Sequence, residues 1–293
     1  MSTIIERRVI LVVHPTKKEA HLYASELSAL LIGLGFTIFT NAKVAIPGTL
    51  DVEASGDLLA DSEIAIVLGG DGTILRAAEI VRGKGIPILG INLGNVGFLA
   101  EIVKPSLEAL SKAIVDRRYH GEARLSLGYK VLRNGEVITS GWALNEATIE
   151  RSHSQMVELF VQIDSRPLSR WGADGVICAT PTGSTAYAFS AGGPVVWPEV
   201  SAFILLPLAA HALFSRPMVI APQSHIGIDV ISREALLSAD GMRKFPLSQG
   251  DHVILSKDSI DVSIVHLEDA TFTDRLVAKF KLPIEGWRSD QES

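Results

Sequence analysis

Residues 64–73 read Ile64-Ala65-Ile66-Val67-Leu68-Gly69-Gly70-Asp71-Gly72-Thr73, and a helical apolar pattern then runs to Val81. Five apolar residues without alternation describe a strand covered on both faces, the usual state of a strand in a parallel sheet. A glycine-rich turn directly after it opens a helix, so the turn stands at the carboxyl end of a strand in an open α/β sheet, where such folds bind ligands. Glycines there remove the Cβ atoms that would keep a phosphate from the backbone, and a helix start offers unpaired N–H groups and a positive dipole end. A carboxylate at Asp71 is out of place beside phosphates unless it accepts a proton or holds a cation. By itself it could also cap the helix.

The same alternation continues on either side. Val9 to Val13, Phe36 to Phe39 and Ile86 to Ile91 read as further strands, and Lys17 to Leu34 and Ser106 to Val115 as helices. Past residue 120 the pattern changes to two-residue alternation and hairpins. Asn134-Gly135 sits between Lys130–Arg133 and Glu136–Ile138, Val157–Ile163 and Ile260–Val265 alternate, and Asp240-Gly241 makes a second turn. The sequence therefore predicts an α/β N-terminal domain with an open, mostly parallel sheet over 1–119. A β-rich, β-sandwich-like C-terminal domain follows over 120–269. The tail 270–293, with a helix over Asp274 to Phe280, is expected to return to the first domain.

Composition narrows the partners. The 293 residues carry 27 Lys and Arg against 33 Asp and Glu, a net charge of −6, which argues against nucleic acid as a partner. Cys178 is the single cysteine, so neither an internal disulfide nor a cysteine-rich zinc site can form. Phe203 to Phe214, the longest apolar stretch, is interrupted by Pro207 and His211 and falls short of the ~20 residues of a membrane span. The apolar run near the N-terminus is too short for a signal-peptide core. A cytoplasmic protein that contacts no membrane is expected.

A second small-residue cluster runs from Asp174-Gly175 through strand Val176–Ala179 to Thr180-Pro181-Thr182-Gly183-Ser184-Thr185-Ala186-Tyr187, and ends at Gly192-Gly193-Pro194. Its hydroxyls and backbone N–H groups suit ribose and phosphate oxygens, and Tyr187 could border a base; composition alone equally fits a plain loop. There is no Walker-type Gly-x4-Gly-Lys-Ser/Thr, no zinc-protease His-Glu-x-x-His and no hydrolase Gly-x-Ser-x-Gly.

Taken together, Gly69–Thr73, Asn92 with Gly94 and Gly97-Phe98-Leu99, Asn145-Glu146, Asp174-Gly175, Thr180–Tyr187, Ser190–Pro194, His211 and Arg216-Pro217 closely resemble the NAD kinase family, bacterial type. The resemblance implies transfer of the terminal phosphoryl group of ATP, or of inorganic polyphosphate, to the adenosine ribose 2′-hydroxyl of NAD, giving NADP. It also implies Mg²⁺ or another divalent ion, with no ligands assigned to it, and a homotetramer or homodimer built through the β-rich domain. In that pattern Asp71 is the base or orienting carboxylate, Gly70 and Gly72 line the same spot, and Arg76 is a basic position near phosphate. Asn145, Glu146 and Asp174 contact the dinucleotide, and Thr185, Ala186, Tyr187 and Ser190 surround it. His211 takes no role. Two rival readings share these residues: a related lipid kinase, and a non-catalytic NAD(P)(H)-binding sensor.

Overall fold

The computed structural model describes residues 6–94, 97–101, 104–267 and 270–284. It forms two compact units, residues 1–123 with 262–293, and residues 124–261.

In the first unit the chain runs β1 (Arg7–Val13), α1 (Lys18–Gly33), β2 (Phe36–Thr40), β3 (Leu50–Asp51), the short α2 (Val52–Ser55), β4 (Ile64–Leu68), α3 (Asp71–Val81), β5 (Ile88–Ile91), α4 (Leu107–Val115) and β6 (His120–Arg124). The second unit contains β7 (Leu127–Arg133), β8 (Glu136–Ala143), β9 (Glu146–Glu150), β10 (Val157–Ile163), β11 (Arg166–Ala173), β12 (Gly175–Ala179), the one-turn α5 (Tyr187–Ser190), β13 (Phe203–Leu208), β14 (Met218–Ile220), β15 (Ile226–Val230), β16 (Glu234–Ala239), β17 (Arg243–Ser248) and β18 (His252–Lys257). The chain then returns to the first unit with β19 (Val262–His266) and α6 (Phe272–Phe280).

The first sheet has the order β3-β2-β1-β4-β5-β19-β6. Neighbours pair in parallel from β3 through to β19. β4 is buried along its whole length, as its unbroken apolar run requires. Leu27 and Leu31 of α1 and Leu110 and Ile114 of α4 share one core with Val9, Leu11, Ile64 and Ile66. Each fully buried side chain of this size contributes about 1.5–3 kcal/mol. From β1 the strand order proceeds to β2 in one direction and to β4 in the other. The carboxyl ends of β1 and β4 therefore flank a topological switch point.

One strand departs from the expectation. Ile260–Val265 reads as an alternating strand of the β-rich domain, yet Ile264 pairs in parallel with Ile88 in the first unit. Val262, Ile264, Val265 and His266 are all buried, so this strand is covered like its parallel neighbours; the polar Asp261 and Ser263 disguise it as alternation. α6 also belongs to the first unit, with a capping box at Thr271 and Asp274. Residues 285–293 of the tail, and Asn95 and Val96 between Gly94 and Gly97, lie outside the described residues.

The second unit is two six-stranded sheets, β11-β10-β15-β18-β7-β8 and β14-β13-β12-β9-β16-β17. Leu127, Val131 and Leu159 of one share a core with Ile149, Phe203 and Leu237 of the other, which is sandwich packing. The Asn134-Gly135 and Asp240-Gly241 turns have positive φ at both residues, as tight hairpins require.

Candidate active site

In the first unit Gly70 is the N-cap of α3 and no side chain caps it. Asp71 therefore does not act as a helix cap. Its carboxylate instead accepts the N–H of Phe98 on Oδ2 at 3.0 Å and of Leu99 on Oδ1 at 3.2 Å. Gly97 makes this possible: a Cβ there would lie 2.8 Å from Asp71 Cγ. The loop thus fixes the carboxylate at the mouth of the turn while leaving it partly exposed.

Beside it lies a cavity of about 250 Å³ lined by His14, Lys17, Gly70, Gly72, Thr73 and Arg76. His14 follows β1 and Gly70 follows β4, so the cavity sits at the switch point. His14 Nδ1 accepts the N–H groups of Thr16 and Lys17, both at 3.3 Å. Burial, reinforced by the Lys17 and Arg76 charges, holds its imidazole below the usual range. A neutral ring with Nδ1 accepting carries its proton on Nε2. Lys17 Nζ donates to the Leu93 carbonyl at 3.3 Å. Two cations, a helix start and glycine backbone in one hollow make a site for a polyanion.

In the second unit Asp240 organises the dinucleotide candidates. Its carboxylate is fully buried and accepts the N–H groups of Leu144 at 2.9 Å, Asn145 at 2.7 Å and Glu146 at 3.3 Å. Arg243 donates to it at 2.6 Å and lies over the Trp142 ring at 4.4 Å. On the other side Thr180 N–H donates to the Asn145 carbonyl at 2.8 Å and Thr180 Oγ1 to that of Leu144. Gly183 packs so closely on Asn145 that a Cβ would come 2.8 Å from its Cα. The Asn-Glu pair and the hydroxyl-rich loop are thereby one construction.

Glu146 is buried, and its Oε2 has no hydrogen-bond partner among the described residues. Burial, then the nearby Asp240 charge, pushes its carboxyl up to about 7, opposed by the Tyr187 N–H. An unpartnered buried oxygen lining a cavity is a seat for a donor from a ligand. The cavity, about 270 Å³, is also bordered by Glu150, Arg151, Tyr187, Ser238 and Lys244. A larger one of about 620 Å³ shares Glu150, Arg151 and Tyr187 with it and adds His153, Asp174 and Ala209. Asp174 is ion-paired with Arg151 at 3.1 Å, both half-exposed.

Gly70, Gly72 and Arg76 thus meet around one cavity, and Glu146, Asp174 and Tyr187 around the other two. Asn145 participates through its backbone. Thr185, Ala186 and Ser190 lie on the turn leading into and along α5 but do not line these cavities. His211 is exposed and bridges Gly172 through its backbone N–H. Cys178 is wholly buried, and burial alone raises its thiol, so it is an inert core residue. Sequence reasoning did not assign roles to His14, Lys17, Gly97, Arg151, Lys244 or the Asp240 carboxylate. His14 and Lys17 carried a signal, standing just after a strand; Asp240 showed only as a turn.

A parallel α/β unit with an anion-receiving turn, joined to a double antiparallel sheet with a ligand-lining loop, defines a class of two-domain nucleotide-site proteins. Residues 9–119 match the family model of the ATP-NAD kinase N-terminal domain, and residues 144–267 that of the ATP-NAD kinase C-terminal domain. NAD kinase 2 of Streptomyces avermitilis is 44% identical over 292 residues, covering 96% of this chain and 97% of its own. NAD kinase of Thermobifida fusca is 49% identical over 244 residues, covering 81% and 75%. This chain belongs to the NAD kinase family. Its fold is also that of yeast NADH kinase complexed with NADH, with a TM-score of 0.83 at 22% identity over 97% of this chain and 89% of that one. The NAD kinase of Archaeoglobus fulgidus in complex with ATP has the same fold, with a TM-score of 0.69 at 24% identity over 94% and 98%.

Proposed function

We propose that this chain phosphorylates the adenosine ribose 2′-hydroxyl of NAD, taking the terminal phosphoryl group of ATP or inorganic polyphosphate and giving NADP. The observation that carries it is Asp71, held by two backbone N–H groups beside a cationic cavity at the switch point. A ribose hydroxyl is a weak nucleophile until its proton has an acceptor, and Asp71 is that acceptor. As the O–P bond to the 2′-oxygen forms, the bond from phosphorus to the leaving phosphate oxygen breaks, and ADP or shortened polyphosphate departs. Lys17, Arg76, the His14 Nε2–H and the α3 start bind the donor phosphates and offset their charge. Glu146 Oε2 accepts from a hydroxyl or amine of the dinucleotide, and Asp174 and Tyr187 border it.

Among the described residues no three His, Cys, Asp or Glu side chains cluster as a metal cage. A single carboxylate and substrate phosphates fit Mg²⁺, which keeps its waters and is rarely caged by protein alone. When bound it would neutralise phosphate charge, and Asp71 would be the carboxylate that helps hold it.

No helix among the described residues is long and apolar enough to cross a membrane. A cytoplasmic homodimer or homotetramer is part of the proposal. The second unit supports the assembly, with Trp197, Leu213, Phe214 and the edge-strand residue Val219 exposed. The test is a matrix of initial rates with ATP and polyphosphate against NAD and NADH, followed by locating the new phosphate. A 2′-phosphorylated dinucleotide is the expected product; none with any donor refutes the reading.

A further inference from the structure

Asp71 is held by residues 98 and 99, and those residues are in turn held by the C-terminal helix. We infer that Arg275 of α6 is a positioning residue for the Asp71 carboxylate, an inference that rests on the function proposed above. Arg275 is only 2% exposed. Its Nη1 donates to the Ala100 carbonyl and its Nη2 to His266 Nδ1 at 2.9 Å. The Phe98 ring lies between two rings of the same helix, 5.8 Å from Phe272 and 5.9 Å from Phe280. Glu101, which follows Ala100, accepts the N–H of Leu267, just past β19, at 2.9 Å. Residues 98–101 therefore form a strap. Its N–H groups face Asp71, while its ring and one carbonyl face α6.

Burying a guanidinium is costly unless its partners answer for it. Burial does lower the Arg275 guanidinium, while Glu101, Asp71 and Asp274, in that order, oppose the shift. Asp71 is thus within electrostatic reach of this buried cation. An anchor serving α6 alone would need neither a bond into the strap nor proximity to the reacting carboxylate.

The experiment is steady-state kinetics of NAD phosphorylation by full-length variants, with thermal denaturation alongside. Displacing a catalytic group by about 1 Å costs on the order of 100-fold, so Arg275→Met is expected to lower kcat by about 10- to 100-fold. Its KM for NAD should stay within about two-fold, because the dinucleotide residues lie in the other unit. Arg275→Lys, which keeps the charge and one donor, should recover to within about three-fold of wild type. In an Asp71→Asn background, adding Arg275→Met should cost less than about two-fold, since residues acting as a unit are not additive. A folded Arg275→Met enzyme with wild-type kcat overturns the inference, as does a full further loss in the double variant or a rise in KM alone. If Arg275→Met does not fold, Phe280→Ala decides. That ring is partly exposed, and its removal should lower kcat with KM and melting temperature nearly unchanged; unchanged kcat overturns the inference. A wild type inactive with every donor refutes the functional reading itself, whereas an active wild type with unaffected variants refutes only the role of Arg275.

Discussion

Two candidate carboxylates, one in each unit, are built in opposite ways. Asp71 accepts two backbone N–H groups and is partly exposed, so it is oriented but still open to a proton. Asp71→Asn should keep NAD affinity and lose about 100- to 10,000-fold in kcat; titration of NAD beside turnover checks both halves. Glu146 is instead buried with an unpartnered oxygen, and its carboxyl is raised from 4.5 to about 7. The folded state then binds the proton more tightly than the unfolded chain. This stabilisation is complete below pH 4.5 and is lost as the pH rises through 7. Glu146→Gln should therefore be more stable than wild type at pH 8 by on the order of 2–3 kcal/mol, with the gap closing towards pH 4.5. Melting curves at several pH values test this, and a constant gap would refute it. The same variant should bind NAD more weakly, because the oxygen that costs stability is the one offered to the ligand. Both residues are legible in the sequence by type and neighbourhood. Their opposed environments are not, because burial is a property of the packed molecule.

At the scale of elements, the turn between β4 and α3 is correct only because another loop is shaped to receive it. Gly97 leaves room for the Asp71 carboxylate, and Phe98 and Leu99 supply the N–H groups. Gly97→Ala should displace Asp71, lowering kcat at least about ten-fold. Stability should fall by about 1–3 kcal/mol, the usual cost of forcing atoms into a filled site. Kinetics and denaturant melts measure the two effects, and an unimpaired variant would show that the loop yields. β4 and α3 were readable from the apolar run and the glycines. The strap was not, because a backbone N–H looks the same in every residue but proline. The Asp240 clamp was hidden for the same reason. A two-residue hairpin explains Asp240-Gly241 completely, and nothing local announces that its carboxylate binds residues 94 to 96 positions earlier. β19 was misplaced because alternating polar residues imitate a half-exposed strand, while its pairing with β5 buries it on both sides.

For the whole molecule, a net charge of −6 coexists with a site for polyanions because fields are local. Lys17, Arg76 and a helix start act within one cavity. Apolar side chains exposed on the second unit, Leu213 and Phe214 above all, should be covered by a second copy. Sedimentation should give a dimer or tetramer for the wild type and a smaller species for Leu213→Asp; a monomeric wild type would refute this. By itself the sequence determined the alternation of strands and helices in the first unit, the change from parallel to antiparallel style, the glycine–aspartate turn and the family. These depend on periodicity, on conformational freedom at particular residues and on local spacing, which a chain carries before it folds. Only the tertiary structure decided what holds Asp71, what holds Asn145 and Glu146, and that the C-terminal helix packs on the segment whose N–H groups hold the Asp71 carboxylate. Those arrangements are hydrogen bonds to backbone groups and close approaches across long stretches of chain. They come into being only when packing brings the segments together.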